Sequence, residues 1–398
     1  MRQRYMRVLL VAGILALVAV GGTETMLRIF PEARPSHTQV RIDAIYHSDP
    51  DSAGALVPDD ELGFLVRPLR HDLIVTNDYS YTNVTDRYGF PNVEPWPERA
   101  DIVFLGDSLL TGDGVGIDGQ FTTLVAKQVP AYSSVINLSL PGASPEKLLR
   151  MFRRFGARLQ PTIVVACLYV ESDIDNAARF AAWEKAGKQW DFQEFRTNHY
   201  AEALAIVRAE ANSELGDSAE YAANPVVPAW RSAFRATINA TAIAAELNYL
   251  LDPWRKGFPH DASFPDGSRV FLYRRFQSRL EKGIGDEYPS ISAVFFDPLV
   301  ELRQDVESLG STFVILLIPS KEEIFRLPGR DGTLKLVVEV RQTLDDLGMI
   351  VLDSYPKIAE VARTTAPFYA HDIHLNQAGN TAIAHVLVDW INQHRARH

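Results

Sequence analysis

The stretch IVFLGDSLLTG, residues 102–112, decides the fold of this chain more than any other part of it. Residues 102–105 form a short apolar run, which is typical of a strand buried in a sheet. Gly106 allows a sharp turn of the backbone, so Ser108 should lie just beyond the end of that strand. Open α/β sheets bind their ligands at the carboxyl ends of their strands. Ser108 is therefore a candidate nucleophile, provided that the fold brings a base to it.

A candidate base lies near the other end of the chain. Asp372 and His374 stand two residues apart, directly before an apolar stretch with helical periodicity. At this spacing one loop can hold both groups in a fixed arrangement. His374 would accept the proton of Ser108, and Asp372 would hold the imidazole in the required tautomer.

Strands and helices alternate along most of the chain after residue 100. We predict strands at residues 102–106, 135–138, 162–169, 313–318 and 350–352. The helices between and after them are predicted at residues 119–128, from 145 onwards, 295–309, 333–347 and 378–394. Such alternation favours a parallel sheet covered by helices on both faces, which is a three-layer α/β/α sandwich.

Residues 177–290 interrupt this alternation. The segment is rich in Ala, Glu and aromatic residues, and we interpret it as a mainly helical cap inserted into the α/β domain. Several Pro and Gly residues between positions 253 and 267 predict a loop near its end. The chain is thus divided into residues 1–30, a linker and lead-in arm at 31–78, and an α/β domain at 79–398 that contains the cap.

The N-terminus combines a basic start with an apolar run. Arg2, Arg4 and Arg7 precede the apolar residues 8–22, a pattern of signal-peptide length. An uncleaved signal anchor is the favoured interpretation; a cleaved signal peptide and a buried core helix are the alternatives. Positive charge keeps the N-terminal flank cytoplasmic, so the anchor predicts a single-pass membrane protein whose folded domain is periplasmic or extracellular.

Composition limits the classes of function. The chain has 398 residues, of which 46% are hydrophobic and 23% charged, as in an ordinary globular protein. Its net charge of −10, without a long basic cluster, argues against a nucleic-acid partner. The single cysteine, Cys167, lies in a predicted buried strand and excludes an intrachain disulfide. No metal-ligand spacing stands out, and the chemistry predicted for Ser108 requires no metal or organic cofactor.

Three motifs, taken in order, resemble the SGNH/GDSL hydrolase family. They are Gly106-Asp107-Ser108, the segment Asn137-Leu138-Ser139-Leu140-Pro141-Gly142, and the pair Asp372 and His374. The resemblance runs from about residue 79 to the C-terminus apart from the insertion. It implies a flavodoxin-like α/β sandwich, an acyl-Ser108 intermediate, and an oxyanion hole that includes the backbone N–H groups of Ser108 and Gly142.

The remaining motif of that family, Gly-x-Asn-Asp, departs from its usual form in this chain. If Asp173 is aligned with the aspartate of the motif, Ser172 stands where the oxyanion-binding asparagine is expected. Ser172 then either donates a hydrogen bond from its hydroxyl or is an inert replacement. Loss of one oxyanion donor typically lowers turnover by roughly 100- to 1000-fold.

Two further segments resemble particular branches of this family. Residues 83–90 are similar to the lead-in of membrane-anchored bacterial members, while residues 318–322 and the Asp372-x-His374 spacing are similar to alginate O-acetyltransferases. We expect Lys321 to be a solvated lysine at a strand end, and His371 to lie on the surface.

The resemblance implies an extracytoplasmic esterase that removes acyl groups, most simply acetyl, from a carbohydrate or envelope substrate. One alternative is an O-acetyltransferase that works with the machinery of an exported polysaccharide. A catalytically silent binding protein of the same fold is the other.

Overall fold

A parallel sheet of five strands forms the centre of the molecule. The computed structural model describes residues 18–27, 29, 56–75, 78–196, 243, 247, 251, 259–284, 291–325 and 334–395. In chain order the strands are β1 Leu56–Asp59, β2 Gly63–Val66, β3 His71–Val75, β4 Ser80–Val84, β5 Ile102–Gly106, β6 Val135–Ser139, β7 Ile163–Leu168, β8 Pro259–Ser263, β9 Arg269–Tyr273, β10 Thr312–Leu317 and β11 Val351–Asp353. The central sheet has the order β6-β5-β7-β10-β11, and every pair in it is parallel.

This strand order is the flavodoxin-like order of doubly wound sheets. The second strand of the sheet, β6, lies on one side of β5, and all later strands lie on the other side. The prediction of a parallel α/β sheet is therefore confirmed, and each of its five strands lies where the sequence pattern predicts it. Strands β5 and β7 are buried at every position, which explains why they read as uninterrupted apolar runs.

Helices cover both faces of the sheet. They are α1 Ser108–Thr111, α2 Gly116–Gly119, α3 Phe121–Gln128, α4 Pro145–Met151, α5 Val170–Lys185, α6 Phe192–Glu194, α7 Arg274–Glu281, α8 Ile291–Ser308, α9 Lys321–Ile324, α10 Lys335–Asp346, α11 Tyr355–Val361 and α12 Gln377–Arg395. Val103 and Leu105 of β5 pack into a core with residues of α4, α5, α8 and α10. Ile102 and Phe104 point to the opposite core, which α3, α11 and α12 cover. Alternate residues of one strand thus serve two cores, as a three-layer sandwich requires.

In the described part of the chain, three antiparallel hairpins lie outside the central sheet: β1 with β2, β3 with β4, and β8 with β9. Strands of all three lie in segments where the sequence analysis predicts no strand, namely the linker at residues 31–78 and the loop near residues 253–267. Pro265 and Gly267 lie in the tight turn of the β8–β9 hairpin, where Gly267 has φ +82°. Short hairpins with exposed positions lack the long apolar runs that reveal a buried strand.

Parts of the predicted domain arrangement lie outside the described residues. These parts are residues 1–17, 28 and 30 of the predicted anchor, residues 31–55 and 76–77 of the linker, and most of the cap between 197 and 258. Residues 18–27 are helical. No helix within the described ranges has both the length and the apolar character needed to cross a membrane.

A buried carboxylate organises the lead-in segment that precedes β5. Asp86 is fully buried and accepts hydrogen bonds from the backbone N–H groups of Tyr88 (2.7 Å) and Phe90 (3.0 Å). It also accepts from the side chains of Asn92 and Trp96, both at 2.8 Å. Four donors therefore compensate the desolvation of this carboxylate.

The same network reaches the β5–α1 turn through Asn92. Asn92 exchanges hydrogen bonds of 2.9 and 2.8 Å with the backbone of Asn137 on β6. Asn137 Nδ2 donates in turn to the carbonyl oxygen of Leu110 on α1, at 2.9 Å. The lead-in segment thereby helps to fix the turn that carries Ser108.

Candidate active site

Ser108 begins α1 immediately after the carboxyl end of β5. Asp107 caps this short helix, because its side chain accepts a hydrogen bond of 2.9 Å from the backbone N–H of Leu109. A Cβ on Gly106 would approach Leu110 to 3.0 Å and Cys167 to 3.2 Å, so glycine fits the tight passage from strand to helix. Ser108 is partly exposed and lies at the point where the strand order reverses, between the ends of β6 and β7.

Asp372 and His374 form a hydrogen-bonded pair in the loop before α12. Asp372 Oδ1 lies 2.6 Å from Nδ1 of His374 and also accepts from the His374 backbone N–H at 3.1 Å. The hydroxyl of Tyr79 donates to the other carboxylate oxygen at 2.7 Å. In the neutral ring, this arrangement places the proton on Nδ1 and leaves Nε2 as the atom that can accept one. Nε2 is buried and has no hydrogen-bond partner among the described residues.

The unbonded edge of the His374 ring faces residues that follow Ser108. His374 Nε2 lies 3.6 Å from Oδ2 of Asp113, just after α1. Asp113 Oδ1 accepts hydrogen bonds from Tyr81 (2.7 Å) and from Thr111 (3.0 Å). The Thr111 hydroxyl also lies 2.7 Å from the carbonyl oxygen of Ser108, so its single proton is shared between the two acceptors. These contacts connect the helical turn that carries the candidate nucleophile to the imidazole.

The carboxylates around His374 control its protonation. Burial by itself would lower the pKa of His374, but the charges of Asp372, Asp113 and Asp107 and the hydrogen bond to Asp372 together raise it to about 9. Burial opposes the charged form of Asp372 as well, yet the neighbouring imidazolium and its hydrogen bonds hold the pKa of Asp372 below its usual range. In the free protein, the imidazole of His374 is therefore mostly charged at neutral pH.

Gly142 occupies the turn after β6, next to the β5–α1 turn. Its φ of +67° favours glycine, and the nearby N–H of Leu140 donates to the Gly106 carbonyl at 3.0 Å. Within the described part of the chain the Gly142 N–H has no hydrogen-bond acceptor. It is therefore free to donate to an oxyanion that would develop near Ser108 if Ser108 acts as a nucleophile.

Ser172 and Asn176 lie on the same side of the start of α5 but contact different groups. The Ser172 hydroxyl donates to Oδ2 of Asp107 at 3.4 Å. Asn176, one helical turn later, donates to the carbonyl oxygen of Ala143 at 3.5 Å, and a Cβ on Gly142 would lie 3.7 Å from its Oδ1. The amide beside the Gly142 turn thus comes from Asn176, which the sequence analysis does not single out. Its spacing of four residues from Ser172 was the available signal.

Sequence reasoning also missed Tyr79, Tyr81 and Asp113. Asp113 lies five residues after Ser108, so its proximity could have been read from the motif itself. Tyr79 is separated from Asp372 by 293 positions, and no local pattern indicates that contact.

Lys321 corrects one prediction, and His371 and Cys167 lie where the sequence placed them. Lys321 is only 2% exposed instead of solvated, and its Nζ donates to the carbonyl of Ala370 at 3.1 Å. The side chain of His371 is 57% exposed and pairs with Asp78 at 2.6 Å. Cys167 is buried, as expected. Among the described residues no three His, Cys, Asp or Glu side chains are grouped so as to hold a metal ion.

No protein-family model and no curated protein matches this chain. Solved structures that it resembles include the acetyl xylan esterase AlAXEase, with 11% identity over 73% of this chain and 98% of the other and a TM-score of 0.35. A catalytic mutant of Axe2, an acetylxylan esterase from Geobacillus stearothermophilus, has 10% sequence identity over 74% of this chain and 95% of the other, with a TM-score of 0.35. A GDSL-like lipase from Bacteroides thetaiotaomicron VPI-5482 has 11% sequence identity over 75% of this chain and 92% of the other, with a TM-score of 0.33. Similarity at this level says nothing about the chemistry of the site.

Proposed function

We propose that this chain is a serine ester hydrolase of the SGNH type, with Ser108 as nucleophile, His374 as base and Asp372 as the residue that orients the base. The observation that carries the proposal is the difference between the surroundings of the two ring nitrogens of His374. Asp372 binds its Nδ1 at 2.6 Å, while its buried Nε2 is unbonded and faces the α1 region. Apo structures often show nucleophile and base not yet hydrogen-bonded, since substrate binding tightens that contact.

Acylation begins when neutral His374 removes the proton from the Ser108 hydroxyl through Nε2. The Ser108 Oγ attacks the ester carbonyl, and the backbone N–H groups of Ser108 and Gly142 stabilise the oxyanion. The carbon–oxygen bond to the alcohol then breaks, and His374 gives its proton to the departing alkoxide. Asp372 stabilises the imidazolium that exists between these two proton transfers.

Deacylation repeats the same steps with water. His374 takes a proton from water, the hydroxide attacks the acyl-Ser108 carbonyl, and the proton returns to Ser108 as the free acid leaves. Besides the ester substrate and water, both stages use only residues of the chain.

The substrate and location belong to this proposal as well. The resemblance to the SGNH/GDSL family favours an acyl ester, most simply acetyl, on a carbohydrate or envelope molecule. The basic and apolar N-terminus supports a single membrane anchor with its N-terminus cytoplasmic and the catalytic domain periplasmic or extracellular.

Acyl transfer to a sugar hydroxyl is a second candidate, and Lys321 is the observation that favours it. The segment at 318–322, which is similar to alginate O-acetyltransferases, reaches the catalytic loop through the bond from Lys321 to Ala370. An acceptor alcohol would then replace water in deacylation. Product analysis with a glycan acceptor separates the two: acetylated glycan indicates transfer, and acetate alone indicates hydrolysis.

Hydrolysis of p-nitrophenyl acetate by the full-length chain tests the proposal. We expect Ser108→Ala and His374→Ala each to lower kcat by at least about 1000-fold. Ser308→Ala and His385→Ala, at exposed positions, are matched controls that should retain wild-type activity. Activity that survives in both Ser108→Ala and His374→Ala would refute the assignment.

A further inference from the structure

The guanidinium of Arg196 lies beside the Gly142 turn. A Cβ on Gly142 would be 3.6 Å from Nη1 and 3.9 Å from Nη2 of Arg196. The Arg196 Cζ also lies 5.7 Å from the centre of the Phe192 ring, which supports the planar group from one side. Arg196 is partly exposed, so a ligand can reach it.

Arg196 differs from the neighbouring arginines Arg150 and Arg179 in having no counter-ion among the described residues. Arg150 pairs with Glu146 at 2.6 Å and Glu184 at 2.8 Å, and Arg179 pairs with Asp175 at 2.5 Å. Arg196 makes no ion pair or hydrogen bond with any described residue, although Asp175 lies near enough to act on its charge.

This unpaired charge is unfavourable in the free protein. Burial and the charge of Arg179 both lower the pKa of Arg196, while Asp175 acts in the opposite direction. An arginine nevertheless stays charged at neutral pH. A partly buried and uncompensated cation beside a candidate oxyanion site gains most from an anion that the ligand brings.

We propose that Arg196 binds a carboxylate carried by the substrate, so that the natural substrates are acyl esters of an acidic molecule such as a sugar acid. The inference rests on the proposed esterase function, because it places the carboxylate next to the scissile ester. The guanidinium presents two parallel N–H donors that match a carboxylate. The chain as a whole carries a charge of −10, so an anionic substrate requires a local cation of this kind.

The kinetic test compares two esters that differ in charge, 3-acetoxybenzoate and 3-acetoxybenzamide. We expect Arg196→Gln to lower kcat/KM for the acid by about 10- to 100-fold and to leave the neutral amide nearly unchanged. Arg153→Gln is the matched control, since Arg153 is an exposed arginine paired with Glu301 and Asp305. Equal losses on both esters would instead assign Arg196 to the oxyanion and overturn the proposal. An unchanged rate on the acid would overturn it too.

A binding measurement separates this inference from the esterase proposal. Full-length Ser108→Ala is titrated with the same two compounds by calorimetry, and it should bind the acid about 10-fold or more tightly than the amide. The double variant Ser108→Ala/Arg196→Gln should lose that preference while keeping the wild-type circular dichroism spectrum. A preference for the acid without any hydrolysis by the wild type would refute the esterase proposal alone. Absence of the preference, or its persistence in the double variant, would refute the role of Arg196.

Discussion

Asp113 Oδ2 lies 3.6 Å from Nε2 of His374, on the opposite side of the ring from Asp372. The imidazole is therefore held between two carboxylates, with a third, Asp107, acting on its charge. This surrounding stabilises the imidazolium, which is the form that the proposed mechanism produces when Ser108 is deprotonated. It also means that the free protein must lose a proton before His374 can act as a base.

The pH profile of ester hydrolysis should be alkaline. The pKa of His374 is raised to about 9, so the base form is the minor species at neutral pH and becomes dominant above that value. We expect kcat/KM for p-nitrophenyl acetate to rise about tenfold per pH unit below the midpoint and to level off above pH 9 or so. Rates corrected with Ser108→Ala measure this profile. A midpoint near pH 6.5, the usual value for histidine, would show that the neighbouring carboxylates do not raise the pKa of His374.

Removal of the Asp113 charge should move the profile towards neutral pH. A carboxylate within about 4 Å raises the pKa of its neighbour by roughly one unit or more. We expect Asp113→Asn to lower the midpoint of the kcat/KM profile by about one pH unit, with higher activity at pH 7 as the first visible effect. Asp118→Asn is the control, because the Asp118 side chain is 97% exposed. An unchanged midpoint in Asp113→Asn would contradict this role of Asp113.

Sequence alone predicted the central sheet because four of its five strands, β5, β6, β7 and β10, are almost wholly buried. Residues 163–168, for example, are all apolar and all buried, so the pattern and the structure carry the same information. The β1–β2 and β8–β9 hairpins were missed because their short strands include exposed residues, and their apolar content resembles that of a loop. Lys321 was placed in solvent for a related reason. A lysine after a strand is usually solvated. Only the three-dimensional structure shows that the Ala370 carbonyl oxygen accepts a hydrogen bond from Lys321 Nζ.

The candidate site likewise contains residues that the sequence predicts and residues that only the fold brings together. Asp372 and His374 could be paired from the sequence because two residues of one loop suffice. Their contact with Tyr79 depends on segments 293 positions apart, and Arg196 comes near Gly142 only through the course of the chain after α5. A motif that fits within a few residues is visible in sequence, whereas the residues that tune it are assembled by the fold.

Tyr79 should act as a positioning residue for Asp372. Its hydroxyl is the donor to Asp372 Oδ2 at 2.7 Å, and its loss leaves a largely buried carboxylate oxygen without that partner. We expect Tyr79→Phe to lower kcat by about tenfold and the free energy of unfolding by about 1–3 kcal/mol. The pH midpoint should not fall, unlike that of Asp113→Asn, because both carboxylates near the ring remain. Tyr355→Phe, at a 38% exposed position, serves as the control. Wild-type kcat in Tyr79→Phe would refute the role.

Asp86 should be important for stability rather than for chemistry. Asp86→Ala would leave four hydrogen-bond donors around the lead-in segment without their acceptor. We expect a loss of about 3–5 kcal/mol in the free energy of unfolding, measured by urea denaturation, because several buried donors become unsatisfied at once. Glu98→Ala, at an exposed position of the same segment, should change stability by less than about 0.5 kcal/mol. A loss below 1 kcal/mol or so in Asp86→Ala would contradict the network's contribution.

Ser172 and Asn176 offer the sharpest test of the oxyanion site. The Ser172 hydroxyl is directed to Asp107, whereas the Asn176 amide packs against the turn that presents the Gly142 N–H. We therefore expect Asn176→Ala to lower kcat for p-nitrophenyl acetate by about 10-fold or more, and Ser172→Ala by less than about 10-fold. Asn392→Ala, at an exposed position of α12, is the matched control. A loss of roughly 100- to 1000-fold in Ser172→Ala, with a smaller loss in Asn176→Ala, would make Ser172 the direct donor and reverse this assignment.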